Sequence, residues 1–247
     1  VYTNDYLKAI DPAVAPDQAQ AAGDFVSSQN VVEEIIPLFD DSELSAFLGG
    51  QNSYAGFAEA APSVNAKLMT GAGAKDGDNE GQVTAMENMI NAGAKGILIT
   101  PSDTKAIVPS IQKARDKGIV VIALDTATDP QEAVDALFAT DNFAAGQQIG
   151  EWAAKKLGGE RAVIALLDQF NDRVIQTDLN RDQGFLTGMG IDVADKGING
   201  DEAKAGDYSG GTYEIACQEP TTGAQDGGRT AMENCLQKDK GINVVYT

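Results

Sequence analysis

The feature that most constrains this chain is an alternation that begins near residue 66. Short apolar runs rich in β-branched residues are separated by longer stretches whose apolar side chains recur at three- and four-residue spacing. Such alternation specifies β-α-β units, in which parallel strands buried on both faces are joined by the helices that cover them. Residues 66–70 read as a brief strand, and 81–92 as a helix with Val83, Met86, Met89 and Ile90 on one face, ended by Gly93. Residues 96–100 (GILIT) form a strand stopped by Pro101, 104–117 a helix facing inward with Ile107, Val108 and Ile111, and 119–125 (IVVIALD) a second buried strand. Two successive right-handed crossovers are expected.

The same rhythm continues with a strand at 136–140, a helix at 142–157 containing Phe143, Ile149 and the single tryptophan Trp152, and a strand at 161–167. A helix at 179–189 follows, then strands at 213–217 and 242–247 around a helix at 228–238. The Gly-rich stretches 71–81, 197–211 and 223–228 read as surface loops, with 207–211 (DYSGG) an exposed insertion.

Composition excludes several function classes. The chain has 247 residues, 43% hydrophobic and 22% charged, enough for one large core or two modest ones. No apolar run is long enough to span a bilayer and no leader pattern opens the sequence, so an exported protein would already have lost its signal. Eighteen Lys and Arg against 37 Asp and Glu give a net charge of −19, which repels phosphate backbones and anionic lipids and argues against nucleic-acid or membrane partners. With no histidine, the commonest general base near neutral pH and the commonest metal ligand are both missing. Cys217 and Cys235 are too few for a zinc site and lack C-x-x-C spacing; they could close one disulfide, worth about 3 kcal/mol in the chain-entropy account, or stay as buried thiols.

In a parallel sheet covered by helices, ligands sit beyond the carboxyl ends of the strands, where loops converge and helix N-termini present free amides. The polar residues there are Ser102 and Asp103, Asp125 and Thr126, Asp141 and Asn142, and the stretch 168–172. Ser102, Asp103 and Asn142 read as local helix caps.

The ordered set ILITPSD, IVVIALDTATD, FATDNFAAGQQIGEWAAKKLGG, AVIALLD, NRDQGF and INVVYT, spanning 66–247, resembles the ribose-type periplasmic sugar-binding proteins, the solute receptors of ABC importers. The resemblance implies an α/β fold of two Rossmann-like lobes with parallel sheets joined by a hinge, the type I periplasmic binding protein architecture. It divides the chain into an N-terminal lobe at 1–139, of which 1–50 is unassigned, and a C-terminal lobe at 140–247. It also implies a monosaccharide bound between the lobes, delivery to a membrane permease, a periplasmic location, and no cofactor, no metal and no catalysis. The family's acid in ALD corresponds to Asp125 and its arginine in R-x-x-G-F to Arg181. These residue types suit a sugar: a carboxylate accepts two O–H bonds and a guanidinium fork donates two N–H bonds to neighbouring hydroxyls. Thr126, Asp168 and Asn171 join them as expected contacts. The family's N-P-F-F stretch is absent, leaving Tyr54, Phe57 or Phe170 to cover the sugar's apolar face, with Phe170, in the loop after AVIALL, the preferred choice. The run from EWAAKKLGG to EPTTGAQDGG looks most like the fructose-type branch. An exported setting favours the Cys217–Cys235 bridge. Against the family the second lobe stops early, at INVVYT, so an incomplete chain or a rearranged order is expected.

Three rivals are weaker. Asp76, Asp78, Glu80, Gly81 and Glu87 fit calcium-loop spacing, but a strand rather than a helix is predicted before them. The effector domain of a transcription repressor shares the two-lobe architecture, yet residues 1–50 hold one Lys and no Arg and so lack a basic DNA-binding helix. A carboxylate-based sugar hydrolase would need a pair such as Asp168 and Asp172, and no G-x-G-x-x-G, P-loop or G-x-S-x-G motif is present.

Overall fold

A computed structural model describes residues 67–247 together with the backbone of a short strand, β1 (Phe47–Leu48). Contacts divide the chain into two compact units, Val1–Thr140 and Asp141–Thr247.

In the first unit, helix α1 (Asn79–Asn91) precedes strand β2 (Gly96–Ile99), helix α2 (Val108–Asp116), strand β3 (Val120–Leu124) and strand β4 (Ala136–Phe138). The sheet order is β1-β2-β3-β4, with every pairing parallel. Ile97, Ile99, Val121 and Ala123 pack on Met86, Met89 and Ile90 of α1 and on Ile107, Ile111 and Ala114 at α2. Leu98 and Ile122 point the other way and are buried too, so both faces of the sheet are covered and the strands read as unbroken apolar runs. Asp78 starts α1 by accepting from the Gly81 N–H at 3.0 Å, which leaves fewer orphan donors in the first turn.

Two sequence expectations shift here. Residues 67–69 form no strand and Thr70 makes only an isolated bridge; the neighbour of β2 is instead β1, in the IIPLFDDSELSAFLGG segment. Helix α2 starts at Val108 rather than at 104, because Asp103 closes a separate turn by accepting from the N–H groups of Lys105 and Ala106, and Pro109 sits in the first helical turn, where its missing N–H is harmless.

The second unit runs α3 (Asn142–Leu157), β5 (Ala162–Asp168), α4 (Gln176–Met189), β6 (Ala205–Tyr208), β7 (Gly211–Pro220), α5 (Gln225–Lys238) and β8 (Val244–Tyr246). Its sheet order is β6-β7-β5-β8, with β5 parallel to β7 and β8, and β6 antiparallel to β7. All seven residues of β5 are buried. One face packs Ile164 and Leu166 on Phe185, Leu186 and Met189 of α4; the other packs Ala165 and Leu167 on Ala231 and Cys235 of α5. The Cys217–Cys235 disulfide ties α5 to β7 on that second face.

The stretch 207–211, expected as an exposed insertion, is the tight end of the β6–β7 hairpin. Tyr208 is buried there and donates from its hydroxyl to the Glu160 carbonyl at 2.7 Å, an anchor that periodicity could not reveal. Gly227 and Gly228 likewise belong to α5 rather than to a loop.

Helix α3 turns its small residues inward. Gly146, Gly150 and Ala154 are buried, whereas Ile149 and Trp152 are 51% and 62% exposed. The reason is α4, which carries Gly184 and Gly188 at the same four-residue spacing and lies against α3 at backbone contact. A Cβ on Gly146 would stand 2.2 Å from the Arg181 carbonyl oxygen, and one on Gly184 would stand 2.2 Å from that of Phe143.

Candidate functional site

Because the strands within each unit run parallel apart from β6, the loops at their carboxyl ends gather along one edge of each sheet. In the first unit that edge carries Ser102, Asp103, Asp125 and Thr126. Asp103 caps the turn before α2, as expected. Asp125 is exposed, and its backbone lies at φ 61°, a left-handed conformation uncommon for a residue other than glycine. Its N–H donates to the Phe138 carbonyl at 2.8 Å, so β4 holds the turn in place. Strain of this kind, maintained by neighbouring structure, is characteristic of ligand-facing positions. Thr126 is buried behind it, its N–H turned back to the Leu124 carbonyl.

The second unit's edge carries Arg181, Asn142, Asp168, Phe170 and Asn171. Asp141 rather than Asn142 caps α3, accepting from the Ala144 N–H at 2.9 Å. Asn142 is thereby left to orient Arg181, whose Nε donates to Asn142 Oδ1 at 2.8 Å. Among the described residues Arg181 is in no ion pair; Asp178, three positions before it on α4, accepts from the Gln169 N–H at 3.0 Å. The Arg181 fork is exposed and held at its base. The sequence offered one clue to this, since two cap-competent residues stand side by side in T-D-N and a helix start uses only one.

Asn171 is exposed and Phe170 is half-buried, outside the buried apolar clusters of the unit. The Arg173 guanidinium lies 4.8 Å from the Phe170 ring centroid and forks onto both carboxylate oxygens of Asp172 at 2.8 Å each. Neither Arg173 nor its bracing of Phe170 was legible from spacing.

Asp168 differs from the other expected contacts. It is 6% exposed and ties β5 to β7: its Oδ2 accepts from Gln218 Nε2 at 2.9 Å and its carbonyl accepts from the Thr221 N–H at 2.8 Å. Burial raises its carboxyl above the ordinary range. Tyr54 and Phe57 lie outside the described residues.

The calcium-loop pattern has other employment. Asp78 caps α1, and Glu87, the twelfth position, is ion-paired with Lys113 on α2. Among the described residues no group of three or more His, Cys, Asp or Glu is arranged to hold a metal ion, and no helix is long and apolar enough to cross a membrane. A shallow cavity of about 430 Å³ lies at the opposite edge of the first sheet, around Arg115, Val120 and Asp135. Its charges are mutually satisfied: Arg115 pairs with Asp135 at 2.9 Å, and Asp135 Oδ2 accepts from the Val121 N–H.

A family model described as a periplasmic binding protein domain matches residues 50–247. The D-ribose/D-allose-binding protein of Pseudomonas aeruginosa is 38% identical over 94 residues, 35% of this chain and 30% of that protein. The ribose import binding protein of Bacillus subtilis is 26% identical over 169 residues, 68% of this chain and 48% of that protein. The chain therefore spans less than half the length of either curated relative. Among solved structures, an ABC transporter periplasmic solute binding protein from Actinobacillus succinogenes with bound D-allose superposes at TM-score 0.62 and 22% identity, covering 82% of this chain and 68% of the other. A carbohydrate transporter solute binding protein from Agrobacterium radiobacter in complex with D-arabinose reaches 0.66 at 19% identity, covering 82% and 66%. These superpositions establish a shared fold.

Proposed function

Because the chain belongs to the periplasmic binding protein domain family, we propose that it is an exported solute receptor that captures a monosaccharide between its two units by hinge closure and hands it to an ABC permease. Asp125 supplies the carboxylate from one unit and Arg181 the guanidinium from the other; Phe170 covers the apolar face of the sugar, and Asn171 adds a polar contact. Thr126 and Asp168 hold the loops that present them. A ligand engaging both charged groups binds the closed form better than the open one, and that difference drives closure.

The observation that carries this reading is Arg181. A guanidinium that Asn142 orients, and that is in no ion pair among the described residues, remains available to donate two hydrogen bonds to adjacent hydroxyls. The relatives named for ribose and allose support a pentose or hexose ligand. The repressor and hydrolase readings have no such support.

The test is a melting-temperature screen with D-ribose, D-allose, D-xylose and D-fructose. A sugar at 100 times its Kd should add about 2.7 kcal/mol. Asp125→Asn, which tolerates the left-handed backbone, and Arg181→Ala should abolish that gain while circular dichroism stays native. An undiminished gain in both variants would remove this site assignment.

A further inference from the structure

The two faces of the second sheet are covered unequally. On one, α4 buries nine of its fourteen residues, and Phe185, Leu186 and Met189 belong to a cluster that also holds Tyr208 and Tyr213. On the other, α5 buries two of its fourteen, Ala231 and Cys235, and the buried cluster there is those two with Ala165, Leu167 and Cys217. Helix α5 has little else to hold it. No side chain caps its start, and Gly227 and Gly228 stand in its first turns, where glycine weakens a helix. Among the described residues its ion pair to the sheet is that of Lys238 with Glu219, and with the lysine half exposed such a pair contributes little. What remains is the covalent bond from Cys235 on α5 to Cys217 on β7. It spans 18 positions and denies the helix most of the freedom it would gain by leaving. The first turn of α5 also lies against the turn at 221–224: a Cβ on Gly227 would stand 1.7 Å from the Thr221 carbonyl oxygen. Thr221 in turn donates from its N–H and its hydroxyl to the Asp168 carbonyl, at 2.8 and 3.1 Å, so a docked α5 settles that turn on the end of β5.

We propose that the Cys217–Cys235 bond is a redox-controlled fastening: its reduction releases α5 from the sheet as one piece, frees the turn at 221–224, and leaves α3, α4 and the sheet folded on their own cluster. A dithiol supplies the two electrons. Its thiolate attacks one sulfur to form a mixed disulfide and expels the other cysteine as a thiolate, which takes up a proton. The second thiol of the reductant, losing its proton, then closes the reductant's own disulfide and releases the first cysteine, which is protonated in turn. Cys217 and Cys235 are 3% and 0% exposed, so the attack waits on fraying of α5, and the bond persists while that helix stays folded. After reduction the two thiols fill the same space without tethering anything, and the small cluster must hold the helix alone. The release stands apart from the sugar-receptor reading. Its consequence for binding rests on that reading, because the end of β5 leads into the loop that bears Phe170 and Asn171.

The experiment is amide hydrogen exchange read by mass spectrometry on the full chain, oxidised and then held reduced in dithiothreitol without denaturant. Amides of residues 225–238 should exchange about tenfold faster or more in the reduced protein, while those of β5 and α4 in the same unit keep their rates. Equal protection of α5 in both forms would overturn the proposal, because the helix would then need no fastening. Loss of protection in α5, β5 and α4 together would also overturn it, since the bond would then secure the whole unit. The double variant Cys217→Ala, Cys235→Ala, studied with no reductant present, separates the bond from the reagent: the same confined release supports the reading, and a protected α5 counts against it. Where D-ribose or D-allose stabilises the oxidised chain, the reduced chain should bind that sugar about tenfold more weakly, measured by titration calorimetry; equal affinity in both forms removes the consequence for binding. No melting response of the oxidised chain to any of the four sugars, with release of α5 intact, would sink the receptor reading while the redox fastening would stand.

Discussion

Gly150→Ala tests the backbone contact between α3 and α4. On an exposed helix this change is favourable by about 1 kcal/mol, because alanine loses less backbone freedom than glycine. Here the added Cβ would stand 2.1 Å from the Phe185 carbonyl oxygen, 2.8 Å from the Met189 nitrogen and 3.0 Å from the Gly188 carbonyl carbon, where ordinary contacts begin at 3.4 Å. All three are backbone atoms and cannot rotate aside, so the helices must part by more than an ångström. Overpacking of that kind costs about 1–3 kcal/mol, and with three contacts the upper end applies; after the propensity gain the net loss is about 2 kcal/mol. For a chain of this size that lowers the melting point by roughly 4–8 °C. The functional consequence follows from geometry, since a wider gap between α3 and α4 stretches the 2.8 Å bond from Arg181 to Asn142 and lets the guanidinium swing. Thermal unfolding followed by Trp152 fluorescence reads the stability, with Gly228→Ala on α5 as the control. A Cβ there meets no atom within 4 Å, so the control should gain up to about 1 kcal/mol. A Gly150→Ala protein that melts at or above the wild type would refute the close-contact argument, and equal losses in both variants would trace the effect to alanine itself.

Other outcomes follow from single contacts. Replacing both Cys217 and Cys235 by Ala should destabilise the second unit by about 3 kcal/mol, measured by urea unfolding against the oxidised wild type. Tyr208→Phe removes the donor to the Glu160 carbonyl and should cost about 1 kcal/mol in the same assay. Asp178 is pushed up to about 6, chiefly by burial, so the stability it contributes is present below the ordinary range near 3.8 and is lost as pH rises through 6. Asp178→Asn should flatten the stability profile between pH 4 and 6 and leave it unchanged above that window.

The elements of this fold were legible because each declares itself locally. β2, β3 and β5 are apolar runs buried on both faces, and α3 matches the 142–157 span read from the sequence alone. The resemblance also put forward Asp125 and Arg181 as the acid and the fork, an assignment left to the sugar screen, and the pairing of Cys217 with Cys235 that an exported setting favours is present as a disulfide. Partner choice was not legible, because it depends on residues distant in the chain. Asp141 takes the cap and Asn142 accepts from Arg181, thirty-nine positions away, and only the folded unit shows which of the two adjacent residues does which. Helix α3 buries glycine and exposes Trp152 because α4 arrives at backbone distance, a fact no hydrophobic period encodes. The β6–β7 hairpin hid inside a polar, glycine-rich stretch, since an edge strand needs its neighbour's hydrogen bonds more than it needs apolar side chains. Asp182 looked like any helix-surface acid. Tertiary packing removed its water, and a carboxyl group takes its protonation from its surroundings rather than from its place in the sequence.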